Sequence, residues 1–240
     1  MLKKKSYKIL VTGGNGRFGK ILKTIKTKHK LLFPKKEFFN ILKISQMKKY
    51  ISFHKPSIII HLAALSRPMK MHDENIIKSI DTNIIGTANI TKICKKFNVK
   101  LIYFSTGYVY PKKTGSYKED DPVNPWNNYS LSKMGGECSV QMYENSLILR
   151  ASMTEKPFVH KEAFADVYTN FIYHREAAQK LMKLLECKGI INLGGKRKTI
   201  YNFGKGKNKI KKIFAKKRKL NIPLDSTMNI DKLNNILSHD

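Results

Sequence analysis

Val11-Thr12-Gly13-Gly14-Asn15-Gly16-Arg17-Phe18-Gly19 decides the fold, because its glycines are spaced G-x-x-G-x-x-G between an apolar run and a helically periodic one. Glycines at this spacing permit a tight turn and a close approach of the backbone to a pyrophosphate at the start of a helix. The candidate cofactor-binding residues in this loop are Gly13, Asn15, Gly16, Arg17, Phe18 and Gly19. A glycine turn that links a strand to a helix without any ligand is the alternative.

Apolar runs alternate with helical periodicity on both sides of this loop. The predicted strands are residues 8–12, 30–33, 57–63, 100–105, 146–150 and 189–193, and the predicted helices are residues 17–26, 46–54, 75–97, 129–144 and 173–186. Continuous runs such as Ile58-Ile59-Ile60 are typical of strands that are buried on both faces. The pattern predicts an α/β fold, a Rossmann-type doubly wound parallel sheet with a small, reduced C-terminal lobe.

The same pattern predicts that the chain is divided into two segments. Residues 1–150 are the predicted NAD(P)-binding domain, and residues 151–240 are a predicted small substrate-binding lobe that is interleaved with the end of the sheet. Within the second segment, residues 156–166 are predicted to form a loop and residues 210–237 a small cap. The aromatic residues of this lobe either pack its core or line a nucleotide base pocket, and packing is the preferred interpretation for most of them. They are Phe158, Phe164, Tyr168, Phe171 and Tyr173.

The second chemical motif is Tyr129-Ser130-Leu131-Ser132-Lys133. Residues four apart share one face of a helix, so this spacing brings a phenol and an ammonium near each other. A nearby cation favours the phenolate and makes a tyrosine a more useful proton-transfer group near neutral pH. The motif follows a predicted strand ending at Ser105 and Thr106, and ligands bind at the carboxyl ends of strands in such sheets.

These elements, in this order, resemble the extended short-chain dehydrogenase/reductase superfamily. His61-Leu62-Ala63-Ala64-Leu65-Ser66 is similar to its cofactor-contacting segment, and Asn83-Ile84-Ile85-Gly86-Thr87 is similar to its Asn-x-x-Gly-Thr helix. Leu149-Arg150-Ala151-Ser152, Asn192-Leu193-Gly194-Gly195 and Pro223-Leu224-Asp225 resemble stretches of the sugar-nucleotide branch. Ser105-Thr106-Gly107-Tyr108-Val109-Tyr110 most resembles the dTDP-4-dehydrorhamnose reductases of that branch.

The resemblance implies a catalytic set of Thr106, Tyr129 and Lys133. Thr106 would hydrogen-bond the substrate carbonyl, Tyr129 would donate the proton, and Lys133 would hold the nicotinamide ribose and tune Tyr129. The resemblance also implies that the cofactor contacts Ala63, Ala64, Leu65, Asn83 and Ser105, in addition to Tyr129 and Lys133. For Asn83, a water-mediated contact with Lys133 and a purely structural role at the start of a helix are both open.

The resemblance implies an NAD(P)H-dependent reductase of a nucleotide-linked 4-keto-6-deoxysugar. Gly107-Tyr108 stands where the sugar-nucleotide dehydratases carry an Asp-Glu pair, so dehydration is disfavoured. A nucleotide-sugar epimerase that retains its NAD is one alternative. A non-catalytic dinucleotide- or nucleic-acid-binding protein on the same fold is another.

The cofactor is predicted to be NADP(H) or NAD(H), with a preference for NADP(H). Lys35 and Lys36 follow the second predicted strand, where an acidic residue usually holds an unmodified ribose. Together with Arg17, these cations would accommodate a 2′-phosphate better. Glu37 lies just beyond them.

The net charge of +30 is the most prominent bulk property, and such a charge is typical of nucleic-acid-binding proteins. Only six of the 47 basic residues are arginine, so a solvated lysine-rich surface is preferred over a nucleic-acid role. The role of the lysine-rich stretch 205–219 stays open. Three dispersed cysteines predict no disulfide framework and no metal site. Apolar runs too short to cross a membrane and the absence of a leader pattern predict a cytoplasmic protein, with a homodimer left open.

Overall fold

The structure is a computed structural model and describes residues 5–206 and 209–238. Part of the lysine-rich stretch therefore lies outside the described residues, as do the first four residues. The strands are β1 Lys8–Thr12, β2 Lys30–Leu32, β3 Ile58–His61, β4 Lys100–Thr106, β5 Ser146–Ala151, β6 Met153–Thr154, β7 Glu162–Phe164, β8 Tyr168–Thr169, β9 Ile172–Tyr173, β10 Gly189–Leu193, β11 Lys198–Thr199 and β12 Lys211–Ile213. The α-helices are α1 Arg17–Leu22, α2 Ile44–His54, α3 Met71–Glu74, α4 Ile76–Ser79, α5 Gly86–Phe97, α6 Asn128–Gln141, α7 His174–Lys183, α8 Ile200–Gly204 and α9 Asp231–Ser238.

The central sheet is parallel and has the strand order β2-β1-β3-β4-β5-β10. Strand β2 lies on one side of β1, and β3 and the strands that follow it in the sheet lie on the other side. This reversal opens a crevice at the carboxyl ends of β1 and β3, where ligands bind in doubly wound sheets. The predicted Rossmann-type fold is confirmed.

Successive side chains of each strand point to opposite faces of the sheet. Helices cover both faces. Ile9 and Val11 of β1 pack on the side that carries α1, α7 and α9. Leu10 packs on the opposite side, against apolar residues of α2, α5 and α6. The continuous apolar runs of the sequence are therefore strands buried between two helical layers.

Three predicted elements differ in detail. Helix α1 ends at Leu22 rather than near residue 26, because the Thr24 hydroxyl donates to the Ile21 carbonyl at 2.8 Å and the backbone turns there. The predicted helix over residues 75–97 is present, but it is π-helical over Ile80–Ile85. The prediction of a loop over residues 156–166 is wrong at Glu162–Phe164, which pairs with β12 nearly 50 residues later.

The segment after β5 contributes both to the sheet and to a smaller layer. Strand β10 joins the sheet beside β5, and short ladders join β6 to β9, β7 to β12 and β8 to β11. These ladders surround the carboxyl-terminal edge of the sheet from the side of β5. Within the described residues, we find no helix with the length and apolar character that a membrane crossing requires.

Candidate active site

A cavity of about 480 Å³ opens at the carboxyl-terminal edge of the sheet. Three segments of the sheet domain line it: the glycine loop, the loop after β3 and the end of β4. Residues that follow β5 line the opposite side, among them Ser152, Glu155 and Phe158. Predicted site residues on its wall are Gly13, Gly16, Arg17, Phe18, Gly19, Ala64, Ser105, Thr106 and Tyr129. The structure thus brings most of the predicted set to one cavity.

The glycine loop approaches its neighbours too closely for larger residues. Gly13 has a φ of +68°, and a methyl group on it would lie 2.7 Å from the Ala63 nitrogen. A methyl group on Gly19 would lie 2.6 Å from the Gly13 carbonyl oxygen. This bare, tightly wound backbone on the cavity wall fits the pyrophosphate of a dinucleotide. Asn15 is exposed and accepts a hydrogen bond from Lys23 at 3.1 Å.

The segment after β3 is held in place from both sides. The Thr12 hydroxyl accepts hydrogen bonds from the backbone N–H groups of Leu62 and Ala63, both at 3.1 Å. Asn83 accepts from the Leu65 N–H at 2.8 Å and donates to the Leu65 carbonyl at 2.9 Å. It also donates to the Ser132 hydroxyl of α6 at 2.9 Å. Asn83 therefore ties the predicted cofactor segment to the helix that carries Tyr129.

Tyr129 enters the cavity from the first turn of α6. Asn127 and Ser130 form a capping box that fixes the start of this helix. Thr106, at the end of β4, lines the same cavity as Tyr129. Burial raises the pKa of Tyr129 to about 12, although Thr106 and the guanidinium groups of Arg67 and Arg17 act in the opposite direction. The phenol is therefore protonated at neutral pH.

Lys133 is buried one turn further along α6. Its Nζ lies 4.1 Å from the centroid of the Tyr103 ring. Burial lowers the pKa of Lys133 to about 7, and the Glu137 carboxylate opposes that change. We expected Lys133 to lower the pKa of Tyr129, but burial dominates and the opposing cations are Arg67 and Arg17. A contact between Lys133 and a nicotinamide ribose stays a prediction.

A buried ionic network joins β4, α6 and β5, and the motifs of the sequence did not identify it. Glu137 is fully buried and accepts a hydrogen bond from Ser105. Its other oxygen pairs with Arg150 of β5 at 2.7 Å. The Arg150 guanidinium also donates to the Tyr110 hydroxyl at 2.8 Å. The one available signal was that Glu137 follows Lys133 by four residues, on the same helix face.

A second charged cluster on the cavity wall was also missed. Arg17 and Arg67 both contact the Glu155 carboxylate, each at 3.2 Å. Arg17 also donates to the Ser66 hydroxyl at 3.0 Å. The predicted positive cluster of Arg17 with Lys35 and Lys36 differs from this geometry, because Arg17 extends toward the second lobe. Lys35 pairs instead with Glu37 at 3.5 Å on the exposed surface.

The fold and this site define a protein of the extended short-chain dehydrogenase/reductase class, in the sugar-nucleotide branch. Within that class, the model of the RmlD substrate binding domain matches residues 7–187. The chain belongs to this family.

Known proteins show how far the similarity extends. Methionine adenosyltransferase 2 subunit beta of Xenopus laevis is 30% identical over 155 residues, which are 60% of this chain and 46% of that protein. The chain thus spans about half the length of this curated relative. A dTDP-4-dehydrorhamnose reductase from Bacillus anthracis, solved in complex with NADP, has a TM-score of 0.83 at 21% identity, over 96% of this chain and 92% of the other. The enzyme WbmG of Bordetella bronchiseptica, solved with NAD and UDP, has a TM-score of 0.74 at 17% identity, over 98% and 89%.

Proposed function

We propose that this protein is an NAD(P)H-dependent reductase that acts on the keto group of a nucleotide-linked 4-keto-6-deoxysugar. One observation carries the proposal: Thr106 and Tyr129 line the same cavity as the glycine loop. A proton donor and a dinucleotide cradle thus face one volume. The similarity to a dTDP-4-dehydrorhamnose reductase supports this choice of substrate class.

The cavity wall fits the dinucleotide. Gly13, Gly16 and Gly19 would receive the pyrophosphate, and Ala64 and Ser105 would line the path toward the nicotinamide. A bound reduced nicotinamide supplies the hydride. Lys35 and Lys36 follow β2, where they would meet a 2′-phosphate, so the preference for NADP(H) remains part of the proposal. The crystallised relatives contain NADP in one case and NAD in the other.

The chain supplies the proton and the orientation of the carbonyl. The Thr106 hydroxyl accepts from the Tyr108 N–H at 3.2 Å, which leaves its own hydrogen available for a substrate carbonyl in the cavity. A substrate carbonyl between these two hydroxyls would accept from both. Negative charge develops on that oxygen as the carbonyl is reduced, and Tyr129 transfers its proton there.

Tyr129 carries the proton that reduction needs in its first step, as a tyrosine does at neutral pH. Burial raises the pKa of this phenol to about 12, so it holds its proton at neutral pH. Reduction of a ketone requires a proton donor at this position. An epimerase begins by oxidising a hydroxyl, which requires Tyr129 to accept a proton.

The second lobe supplies the surface for the nucleotide. Phe158, Phe164 and Phe171 lie on the cavity wall. Phe203 packs against Phe158 and Phe171, with ring centroids 6.2 and 5.8 Å apart, and holds them in place. Phe164 and Phe171 are partly exposed and offer faces on which a base can stack, whereas Phe158 is buried. A relative solved in complex with UDP supports a nucleotide as part of the substrate.

The test is an assay of NAD(P)H oxidation with dTDP- and UDP-linked 4-keto-6-deoxyhexoses. We expect turnover in the wild type and a loss of about 100-fold or more in Tyr129→Phe, because the proton donor is removed. Tyr50→Phe is the matched control, since Tyr50 packs on α2 against Phe39 and His54. Wild-type protein that oxidises NAD(P)H with none of these sugars would refute the proposal.

A second candidate is a dinucleotide-binding subunit of a different enzyme. The name of the curated relative as a subunit of a methionine adenosyltransferase favours this possibility. The two functions separate in one experiment: a subunit binds NAD(P)H without reducing any keto sugar, and Tyr129→Phe leaves that binding intact.

A further inference from the structure

Three charged side chains from distant parts of the chain meet on the cavity wall. Arg17 begins α1, Arg67 lies in the loop after β3, and Glu155 follows β6 in the second lobe. The Arg17 Nε lies 3.2 Å from one oxygen of the Glu155 carboxylate, and the Arg67 Nη1 lies 3.2 Å from both oxygens. One carboxylate therefore joins the glycine loop to the second lobe across the cavity.

Glu155 is well suited to remain charged there. Its side chain is 19% exposed and also accepts from the Thr154 hydroxyl at 3.1 Å. Burial opposes its charged form, but hydrogen bonds from its own backbone N–H and from Thr154, with the charges of Arg67 and Arg17, lower the pKa of Glu155 overall. The side chains of Arg17 and Arg67 are 45% and 37% exposed, so both guanidinium groups are open to a ligand in the cavity.

The two guanidinium groups form a site for an anion, and the Glu155 carboxylate occupies this site in the structure. Two guanidinium groups and one carboxylate leave a net charge of +1. Guanidinium groups bind phosphate oxygens in pairs, with the same N–H donors that bind a carboxylate. The Glu155 oxygens thus occupy donors that a diphosphate would use.

We infer that Arg17 and Arg67 each bind a diphosphate group in this cavity and that Glu155 competes with these ligands for the two guanidinium groups. The inference rests on the proposed function, because that function supplies nucleotides to this cavity. When a diphosphate binds, its oxygens replace those of Glu155, and the tie between the glycine loop and the second lobe opens. The loss of the contacts between Glu155 and the two arginines then lowers the affinity for the ligand.

A diphosphate could come from the dinucleotide or from the nucleotide sugar. Arg17 belongs to the glycine loop, and Arg67 lines the cavity together with Tyr108 and the predicted proton donor Tyr129. We expect Arg17 to serve the dinucleotide and Arg67 the nucleoside diphosphate. Separate titrations with NADPH and with UDP or dTDP distinguish the two sources.

The test measures binding by calorimetry in wild type, Glu155→Gln and a charge-matched control. The control is Glu144→Gln, because Glu144 pairs with Lys95 at 3.6 Å at the opposite edge of the sheet. We expect Glu155→Gln to bind at least one of the two diphosphates about fivefold tighter than wild type, since an exposed ion pair is worth about that factor. Glu144→Gln should stay within about twofold of wild type, and the gain should shrink in high salt.

Arg17→Met and Arg67→Met provide an independent pair of variants. Each should weaken binding of its own ligand about fivefold or more, while thermal unfolding confirms that the proteins fold. The inference is overturned if Glu155→Gln binds both ligands no tighter than Glu144→Gln, or if neither arginine variant loses affinity. The reductase proposal can fail separately, because binding is measured without catalysis. If Glu155→Gln binds a diphosphate more tightly but the wild type turns over no keto sugar, only the reductase proposal is refuted.

Discussion

The Nζ of Lys133 lies 4.1 Å above the Tyr103 ring, and the Tyr103 hydroxyl donates to the Lys133 carbonyl at 2.9 Å. The ammonium thus contacts an aromatic face inside the protein, an interaction that partly replaces lost water. The residual cost of burial lowers the pKa of Lys133 to about 7, with Glu137 opposing the shift. Protonation of this side chain is therefore coupled to folding.

The first prediction concerns stability between pH 7 and pH 10. The folded pKa of Lys133 lies below its ordinary value of 10.5, so in this range the unfolded chain holds a proton that the folded protein lacks. Lys133 therefore makes the free energy of unfolding rise with pH, by at most about 1.4 kcal/mol per unit. Lys133→Met should lack this rise in urea unfolding at pH 7.5, 8.5 and 9.5. Lys48→Met, at an exposed position of α2, controls for the loss of a lysine. A constant difference between wild type and Lys133→Met would contradict the prediction.

The second prediction concerns the hydroxyl of Thr106. Thr106→Val removes a donor from the expected position of the carbonyl oxygen and should lower kcat about 100-fold. Thr106→Ser keeps the hydroxyl and should retain most of the activity. Steady-state kinetics with NAD(P)H and a nucleotide keto sugar, with circular dichroism to confirm the fold, provide the measurement. A Thr106→Val protein within threefold of wild type would mean that Thr106 does not contact the reacting carbonyl.

The third prediction concerns the ion pair of Glu137 and Arg150, which are 0% and 3% exposed. Arg150→Met leaves a buried carboxylate without its partner and should lower the free energy of unfolding by about 3–5 kcal/mol. Adding Glu137→Gln removes the unpaired charge, so the double variant should be more stable than Arg150→Met alone. Urea unfolding at pH 7 tests both statements. If the loss of unfolding free energy in the double variant equals the sum of the losses in the two single variants, the pair does not act as a unit.

The elements around the glycine loop could be predicted because their signals are local. The apolar run of β1, the loop glycines and the periodic start of α1 lie within 15 residues of one another, and their order fixes a parallel sheet. The same holds for Tyr129, whose place follows from the end of β4 and the start of α6.

Contacts between distant segments could not be predicted in the same way. The π-helical turn at Asn83 depends on partners 18 and 49 residues away, Leu65 and Ser132. The short strand β7 exists only because β12 pairs with it. The four-residue spacing placed Lys133 on the same helix face as Tyr129. A spacing does not determine the direction of a long side chain. Here the contact with the Tyr103 ring determines the direction of the Lys133 side chain.

The fourth prediction concerns His61, which connects the end of β3 to its neighbours inside the protein. The Thr12 hydroxyl accepts from two backbone N–H groups, so its hydrogen is directed to the His61 Nδ1, 2.8 Å away. The proton of the neutral imidazole then lies on Nε2, which is 3.1 Å from the Thr87 hydroxyl. Nitrogen NMR should detect this tautomer, and a proton on Nδ1 would contradict the arrangement.

Burial, and secondarily the charge of Lys133, lower the pKa of His61 to about 3. Between pH 6.5 and pH 3 the unfolded chain therefore binds a proton that the folded protein excludes. The contribution of His61 to stability is fully present above pH 6.5 and declines as the pH falls, by at most about 1.4 kcal/mol per unit. Urea unfolding at pH 6.5, 5.5 and 4.5 should show a steeper loss in wild type than in His61→Gln, because glutamine does not titrate. Other acidic groups titrate in both proteins, so parallel losses would mean that His61 is protonated in the folded state.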